Sequence, residues 1–466
     1  MASIPASLPP APQLTFLGAT GTVTGSRYLL STGAGDVLVD CGLFQGLKQL
    51  RLRNWDRPPF EPARVAAVVL SHAHIDHSGY LPLLVKNGFR GRVYCTPATR
   101  DLCRILLPDA AHLQEEEAGY AGRHGYSRHR TALPLFTQAD ALQALKHLTI
   151  VPCGEPVMLA QGVSFTLLPA GHILGAAIVA FDIRGTRVVF SGDLGRPCDP
   201  VMRSPASVDT ADYVVVESTY GNRRHPPDDA EQVLAAHLNR GLHRGGVVVI
   251  PAFAVGRAQL LLHYLARLKQ RRAIPDVPVF LNSPMAINAT RIYHEYHAEH
   301  RLSPEDSNAA CSVATMVNSA EDSQALNARG GPMIIISASG MATGGRVLHH
   351  LKAFAPDPRN MVLFPGYQAM GTRGAAMIGG ADAIKIHGVY VPVRAEIVSM
   401  DSLSAHADYN EILAWLGAIK QAPRNTFITH GEPAAADELR RRITETLHWP
   451  CVIPEYRDSV VLAGST

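Results

Sequence analysis

Four side chains able to bind a metal ion fall within six positions, in His72-Ala-His74-Ile-Asp76-His77. The apolar run Val65–Leu70 precedes them, which places the group where a strand ends. In extended backbone, residues two apart point the same way, so His72 and His74 can converge on one ion. The chain must then turn, and the turn lets Asp76 and His77 face a second ion. Imidazole nitrogen with carboxylate oxygen suits zinc. Two such ions can share a hydroxide near neutral pH, because metal binding lowers the pKa of water. The chemistry expected is hydrolysis.

Other strands finish in residues of the same kind. Asp40 ends Val37–Asp40, and Glu217 ends Tyr213–Glu217. His172 follows Phe165–Pro169, and Asp193 follows Arg187–Phe190. His406 comes a short loop after Glu396–Ser399, and His430 directly follows Asn425–Thr429. One such residue alone is ordinarily a turn former or a surface group. In α/β sheets, however, working sites are built at one end of the strands from the loops that follow. Six ends carrying ligand types, with the His-rich segment as nucleus, predict one shared metal site.

The elements that must position these residues are short β-branched runs alternating with helical patterns, which is an α/β class. Helices are predicted at Thr137–Leu148, Asp229–Leu242, Arg257–Gln270, Gly345–Phe354, Asp408–Lys420 and Pro433–Leu447. Asp408 with Glu411 reads as an N-cap and its capping-box partner. The polar stretch from Asp109 to Arg130 is expected to be surface helix and loop. The Ser/Asn/Asp-rich stretch from Ser303 to Gly331 is expected to be loop with a frayed helix.

The chain has 466 residues, long enough for two domains or one core with a large insertion. Its 43 basic and 40 acidic residues leave a net charge of +3, too even to announce a nucleic-acid partner. A polyanion would have to be held by a local patch or by metals. The seven cysteines are odd in number and form no C-x-x-C pair, so they read as reduced thiols of a cytoplasmic protein. Met1 to Pro12 lacks the basic start and apolar run of a signal peptide. No apolar stretch is long enough to span a bilayer, so no membrane partner is expected.

The segment HAHIDH, a lone later histidine, the SGD aspartate Asp193 and the late histidine of THGE resemble the metallo-β-lactamase superfamily. ESTYG (Glu217–Gly221), SAHAD (Ser404–Asp408) and THGE (Thr429–Glu432) resemble the three markers of its β-CASP branch. That branch holds RNA-processing nucleases, among them relatives of the 3′-end cleavage endonuclease of polyadenylation. The resemblance runs from Leu14 to about His448 and includes PAFAVGRAQ, NSPMA, SASGMATGGR and FPGYQAMGTRG. It implies an αββα sandwich, residues 1–221 and 395–466, with an α/β domain inserted at 222–394. It implies two Zn2+: His72, His74 and His172 on the first, Asp76, His77 and His430 on the second, and Asp193 bridging. Asp40 would orient a ligand imidazole. Glu217 and His406 would pair near the scissile phosphate, with His406 as general acid. The activity implied is hydrolysis of single-stranded RNA, leaving 5′-phosphate and 3′-hydroxyl ends.

For RNA, the turn Ser337-Ala-Ser339-Gly340-Met341-Ala342-Thr343-Gly344-Gly345 follows a strand and opens a helix. It reads either as a phosphate-binding turn, through Ser337, Ser339, Thr343 and Gly344, or as an ordinary Gly-rich turn. Arg257, Arg346 and Arg373 read either as phosphate contacts or as solvated charges. Phe253 and Tyr367 read as core as readily as stacking residues. Rival readings are a thioester hydrolase or flavin-linked protein on the same scaffold, a DNA-directed nuclease, and a non-catalytic scaffold subunit. The first is opposed by Glu217, His406 and the insertion. The second is opposed by histidine at position 430, and the third by the complete ligand set. Endonuclease against 5′–3′ exonuclease, a homodimer, and RNA-processing partners stay open.

Overall fold

Strands buried on both faces explain the near-continuous apolar runs of the sequence. Val37, Val39, Ala67 and Val69 face one core with Phe165, Phe181, Phe190 and Phe427. The alternate residues Leu38, Val68 and Leu70 face a second core with Leu84, Leu102 and Leu107 of the covering helices. In the computed structural model, which describes residues 11–123 and 132–463, this alternation builds a sandwich of two seven-stranded sheets with helices outside.

The first sheet runs in the order Ser459–Val461, Gln13–Phe16, Tyr28–Ser31, Asp36–Val39, Val65–Val69, Arg92–Cys95, Leu148–Ile150. The second runs Cys451–Val452, Asn425–Thr429, Tyr213–Glu217, Thr186–Phe190, Ala177–Ile183, Val163–Pro169, Pro156–Ala160. Asp36–Val39 and Val65–Val69 are parallel neighbours, as are Tyr213–Glu217 and Asn425–Thr429. Their C-terminal ends therefore deliver the loops after them to one edge of the sandwich.

A third sheet of six parallel strands runs Thr315–Met316, Val279–Leu281, Met333–Ser337, Val247–Pro251, Met361–Phe364, Glu396–Ser399. Helix Ala230–His243 precedes its strands in sequence, and Arg257–Gln270, Pro284–Glu295 and Val347–Phe354 lie among them. Glu396–Ser399, assigned from sequence to the closing part of the sandwich, adds instead to this sheet beside Met361–Phe364. The inserted sheet thus runs past Arg394.

One other expectation changes. Residues 303–331 form helices Pro304–Ser312 and Ala320–Arg329, each started by a serine. Ser303 accepts from the Asp306 amide and Ser319 from the Asp322 amide, so the polar composition marks caps rather than loop. Asp109 lies inside the long helix Pro97–Arg123, which carries Pro108 in its interior. The expected surface character beyond Arg123, and the N-terminal stretch up to residue 10, lie outside the described residues. Asp408 does cap helix Tyr409–Gly417, with the capping box to Glu411 complete. Among the described residues, no helix is long and apolar enough to cross a membrane.

Candidate metal centre

The strand Val65–Val69 ends two residues before His72, and the short helix Ile75–Ser78 supplies the turn that the spacing required. His72 Nε2 and His74 Nδ1 lie 3.1 Å apart. His172 Nε2 comes within 3.3 Å of the same His74 nitrogen. Asp193 Oδ2 lies 3.6 Å from His72 Nε2 and 3.5 Å from His172 Nε2. A second group adjoins: His77 Nε2 is 3.1 Å from His430 Nε2, and Asp76 Oδ2 is 3.6 Å from that nitrogen. Asp193 Oδ1, 3.2 Å from His77 Nε2, faces this second group. All seven expected ligands therefore stand together, as His72, His74, His172, Asp193 and as Asp76, His77, His430.

The donor set fits metal ions. A tetrahedral ion bonded at about 2.0–2.1 Å separates its ligand atoms by roughly 3.3 Å, close to the spacings found. Asp193 Oδ1 is buried without a hydrogen-bond donor. Such an atom is costly unless a cation satisfies it.

Burial sets the protonation of the first group. It pushes His72 and His172 well below the ordinary histidine value, helped by neighbouring imidazoles, and it lowers His74 too. Neutral imidazoles are the form that ligates a metal. On His77, burial also pulls the pKa down, but Asp193 and Asp40 outweigh it and leave it raised well above ordinary. Asp193 and Asp76 are lowered: burial opposes, and the surrounding histidines prevail.

Asp40 lies behind the ligands. Its Oδ2 accepts from His77 Nδ1 at 2.7 Å, from Ser71 Oγ at 2.9 Å and from Ser26 Oγ at 3.0 Å. Its Oδ1 accepts from the Ser71 amide at 2.7 Å. These bonds hold a proton on His77 Nδ1, so Nε2 is the nitrogen left to present a lone pair when a metal displaces its proton. Asp40 and His430 both leave their strands in the left-handed region, at φ of 58° and 49°. That conformation is unfavourable for these residues and persists because the packed surroundings hold it. Thr219 Oγ1, 3.1 Å from His430 Nδ1, supports the other histidine.

Glu217 and His406 form the expected pair. His406 Nδ1 donates to Glu217 at 3.0–3.1 Å, and Glu217 Oε1 also accepts from the Leu194 amide at 2.6 Å. The His406 ring stands 4.5 Å from that of His172. Burial is the largest influence on His406 and lowers its pKa, yet Glu217, Asp193 and Asp76 raise it on balance. His225, which sequence spacing did not single out, donates from Nε2 to the His406 carbonyl at 2.9 Å. Its backbone N–H donates to Asp408 at 2.8 Å.

The expected RNA contacts divide. Arg257 is 6% exposed at the start of helix Arg257–Gln270 and makes no hydrogen bond or ion pair among the described residues. Burial lowers its pKa, and its charge reaches His172. Arg346 is used internally, donating to Asn282 Oδ1 at 2.9 Å and to the Val317 and Asn318 carbonyls. Arg373 likewise donates to the carbonyls of Lys385, Ala342 and Thr343. Ser337 is buried and donates to the Asn282 carbonyl at 2.9 Å. Ser339 Oγ accepts from the Thr343 amide at 3.0 Å and the Gly344 amide at 3.4 Å, so those amides close the turn on itself. Tyr367 packs with Val23, Met341 and Ala369. Phe253 is not core: it is 37% exposed, its ring 6.0 Å from that of His74.

Comparison with known proteins agrees with this architecture. Family models match residues 36–264 as a beta-lactamase superfamily domain and 258–377 as a Beta-Casp domain. A third matches 390–454 as a Zn-dependent metallo-hydrolase RNA specificity domain. The chain is 38% identical over 423 residues to a ribonuclease of Thermus thermophilus, covering 89% of this chain and 92% of that one. It is 33% identical to the transcription termination factor FttA of Methanosarcina mazei, covering 93% of this chain and 69% of that one. It is 28% identical to an RNase J-like protein of Methanocaldococcus jannaschii, covering 95% and 97%. A crystal structure of a protein of unknown function from Enterococcus faecalis shares the fold at TM-score 0.54 and 15% identity, covering 97% of this chain and all of that one. This chain belongs to the β-CASP branch of the metallo-β-lactamase superfamily.

Proposed function

We propose that this protein is a two-zinc ribonuclease that cuts single-stranded RNA internally. The observation that carries the reading is the Glu217–His406 pair set beside the His/Asp cluster. A hydrolase of thioesters expels a thiolate, which can leave without a proton. A phosphodiester needs a proton for its departing 3′-oxygen, and His406, with Nδ1 held by Glu217, has Nε2 left to give one. The ribonuclease from Thermus thermophilus, similar over nearly its whole length, supports RNA as the substrate.

His72, His74, His172 and Asp193 would hold one zinc, and Asp76, His77 and His430 with Asp193 the other. When bound, the pair supplies an acidified water and charge stabilisation on the phosphate. Asp40 keeps His77 in the ligating tautomer. Arg257, buried and unpaired among the described residues, offers its guanidinium to a phosphate oxygen. Of the three arginines expected to meet RNA, it alone has none of its donors engaged by protein acceptors among the described residues, whereas Arg346 and Arg373 each spend three. The inserted domain, residues 222 to about 400 given the extent of the third sheet, would cover the centre and leave a groove for a single strand.

The test is cleavage of end-labelled single-stranded RNA and matched DNA by metal-analysed protein, with His74→Ala alongside. Internal RNA cuts that vanish in the variant are expected. Intact RNA in the presence of two bound metals would overturn the reading.

A further inference from the structure

The outer hairpin, Ala383–Ile386 with Val389–Pro392, buries Ile384, Ile386 and Val391 and turns Lys385, His387 and Tyr390 outward. Tyr390 is 71% exposed. A large aromatic ring left in water contributes nothing to the core. Lys385 pairs with Tyr390 across the strands, its Nζ 5.8 Å from the ring centroid. The His349 ring lies 5.1 Å from that of His387, and Lys352 follows one helical turn after His349. Burial first, then His349, Lys352 and Arg373, lowers the pKa of His387, so basic side chains surround it.

A chain of contacts links this hairpin to the metal centre. Arg373 donates to the Lys385 carbonyl at 2.7 Å and to the Thr343 carbonyl at 3.1 Å. Gly340, in the same turn as Thr343, lies against Phe253, where an added Cβ would come within 2.6 Å of the ring. Phe253 in turn borders His74. Cations beside an exposed aromatic are the combination that holds single-stranded nucleic acid, with phosphates on the charges and bases on the ring.

We propose that the Lys385–Tyr390 hairpin is a second contact for single-stranded RNA, holding the strand that flanks the bond cut at the metal centre. The inference rests on the reading of this chain as an RNA nuclease. Its occupant is a polyanion with bases to stack, not a protein or a lipid surface, because Lys385 stands against the Tyr390 ring and Lys352 and Arg373 lie close by.

Binding of fluorescent RNA is measured in the full-length His406→Ala protein, so that cleavage does not consume the probe. Adding Lys385→Glu and Tyr390→Ala together should weaken an RNA of about 20 nucleotides by about tenfold, because one base no longer stacks and one phosphate is no longer neutralised. The slope of log Kd against log salt should fall by about 1. An RNA of about six nucleotides, which fills the groove alone, should bind as before. Unchanged affinity for the long RNA overturns the proposal, and so does equal weakening of both lengths. Lys385→Ala and Tyr390→Ala singly, checked by circular dichroism and metal content, guard against a misfolded double variant. If the parent cuts no RNA yet long RNA still needs the hairpin, the nuclease reading fails and the contact stands.

Discussion

His406 Nδ1 lies 3.0 Å from Glu217 Oε2, and that carboxylate is buried and also takes the Leu194 amide at 2.6 Å. Glu217 therefore cannot swing away, and the His406 ring is held 4.5 Å from that of His172. The carboxylate raises the His406 pKa against the pull of burial, so the histidine keeps its proton to higher pH than an ordinary one. Glu217→Gln removes the charge and should move the basic limb of the pH–rate profile of kcat to lower pH. The rate at the optimum should fall about 10²-fold or more with both metals retained. An unmoved basic limb would show that His406 is not the proton donor.

Asp40 holds His77 through one short bond and is itself held by Ser26 and Ser71. Asp40→Ala frees the imidazole to rotate and to take the other tautomer. Metal affinity should drop about 10–100-fold, the usual effect of losing such a support. Chelator competition reads this directly, and parental affinity in the variant would refute it.

Gly42 has no room for a side chain: an added Cβ would lie 1.6 Å from the Asp76 carbonyl oxygen. The obstacle is backbone, in the segment that carries Asp76 and His77, so it cannot turn aside. Gly42→Ala should cost about 3 kcal/mol of stability and lower metal content, since overpacking here displaces ligands. Thermal melting and metal analysis together check it.

His350 is buried between two asparagines. Its Nδ1 donates to Asn327 Oδ1 at 2.7 Å, and its Nε2 accepts from Asn282 at 2.6 Å. Burial, with His349 and Arg346, brings its pKa down to about 4. The unfolded chain binds the proton near pH 6.5 and the folded chain does not, so stability is full above about 6.5. It should fall as the pH drops toward 4, by about 3 kcal/mol from this residue. Unfolding measured across that range should be less steep in His350→Asn by one proton. Equal slopes would show that His350 is protonated in the fold.

The metal ligands were legible because their spacing is local or tied to strand ends. His72 and His74 follow from the period of extended backbone, and strand ends predicted where Asp193 and His430 emerge. Ser71 and Ser26 were not legible: a serine carries no signal until a carboxylate such as Asp40 lies within hydrogen-bond distance. The arginines show the same limit. Arg257, Arg346 and Arg373 look alike in sequence, yet only packing decides that Arg346 and Arg373 each spend three donors on carbonyl oxygens while Arg257 keeps its own. Phe253 could be core or a stacking residue by sequence, and packing decides: it stands 37% exposed beside His74, against Gly340.

By itself the sequence determined the class of fold and the chemistry of the centre, because periodicity and ligand type are properties of neighbours along the chain. Only the tertiary structure decided which donors remain free, that Glu396–Ser399 joins the third sheet, and that His225 backs His406. Those depend on distances between residues far apart in sequence, and packing fixes such distances only once the sheets are assembled.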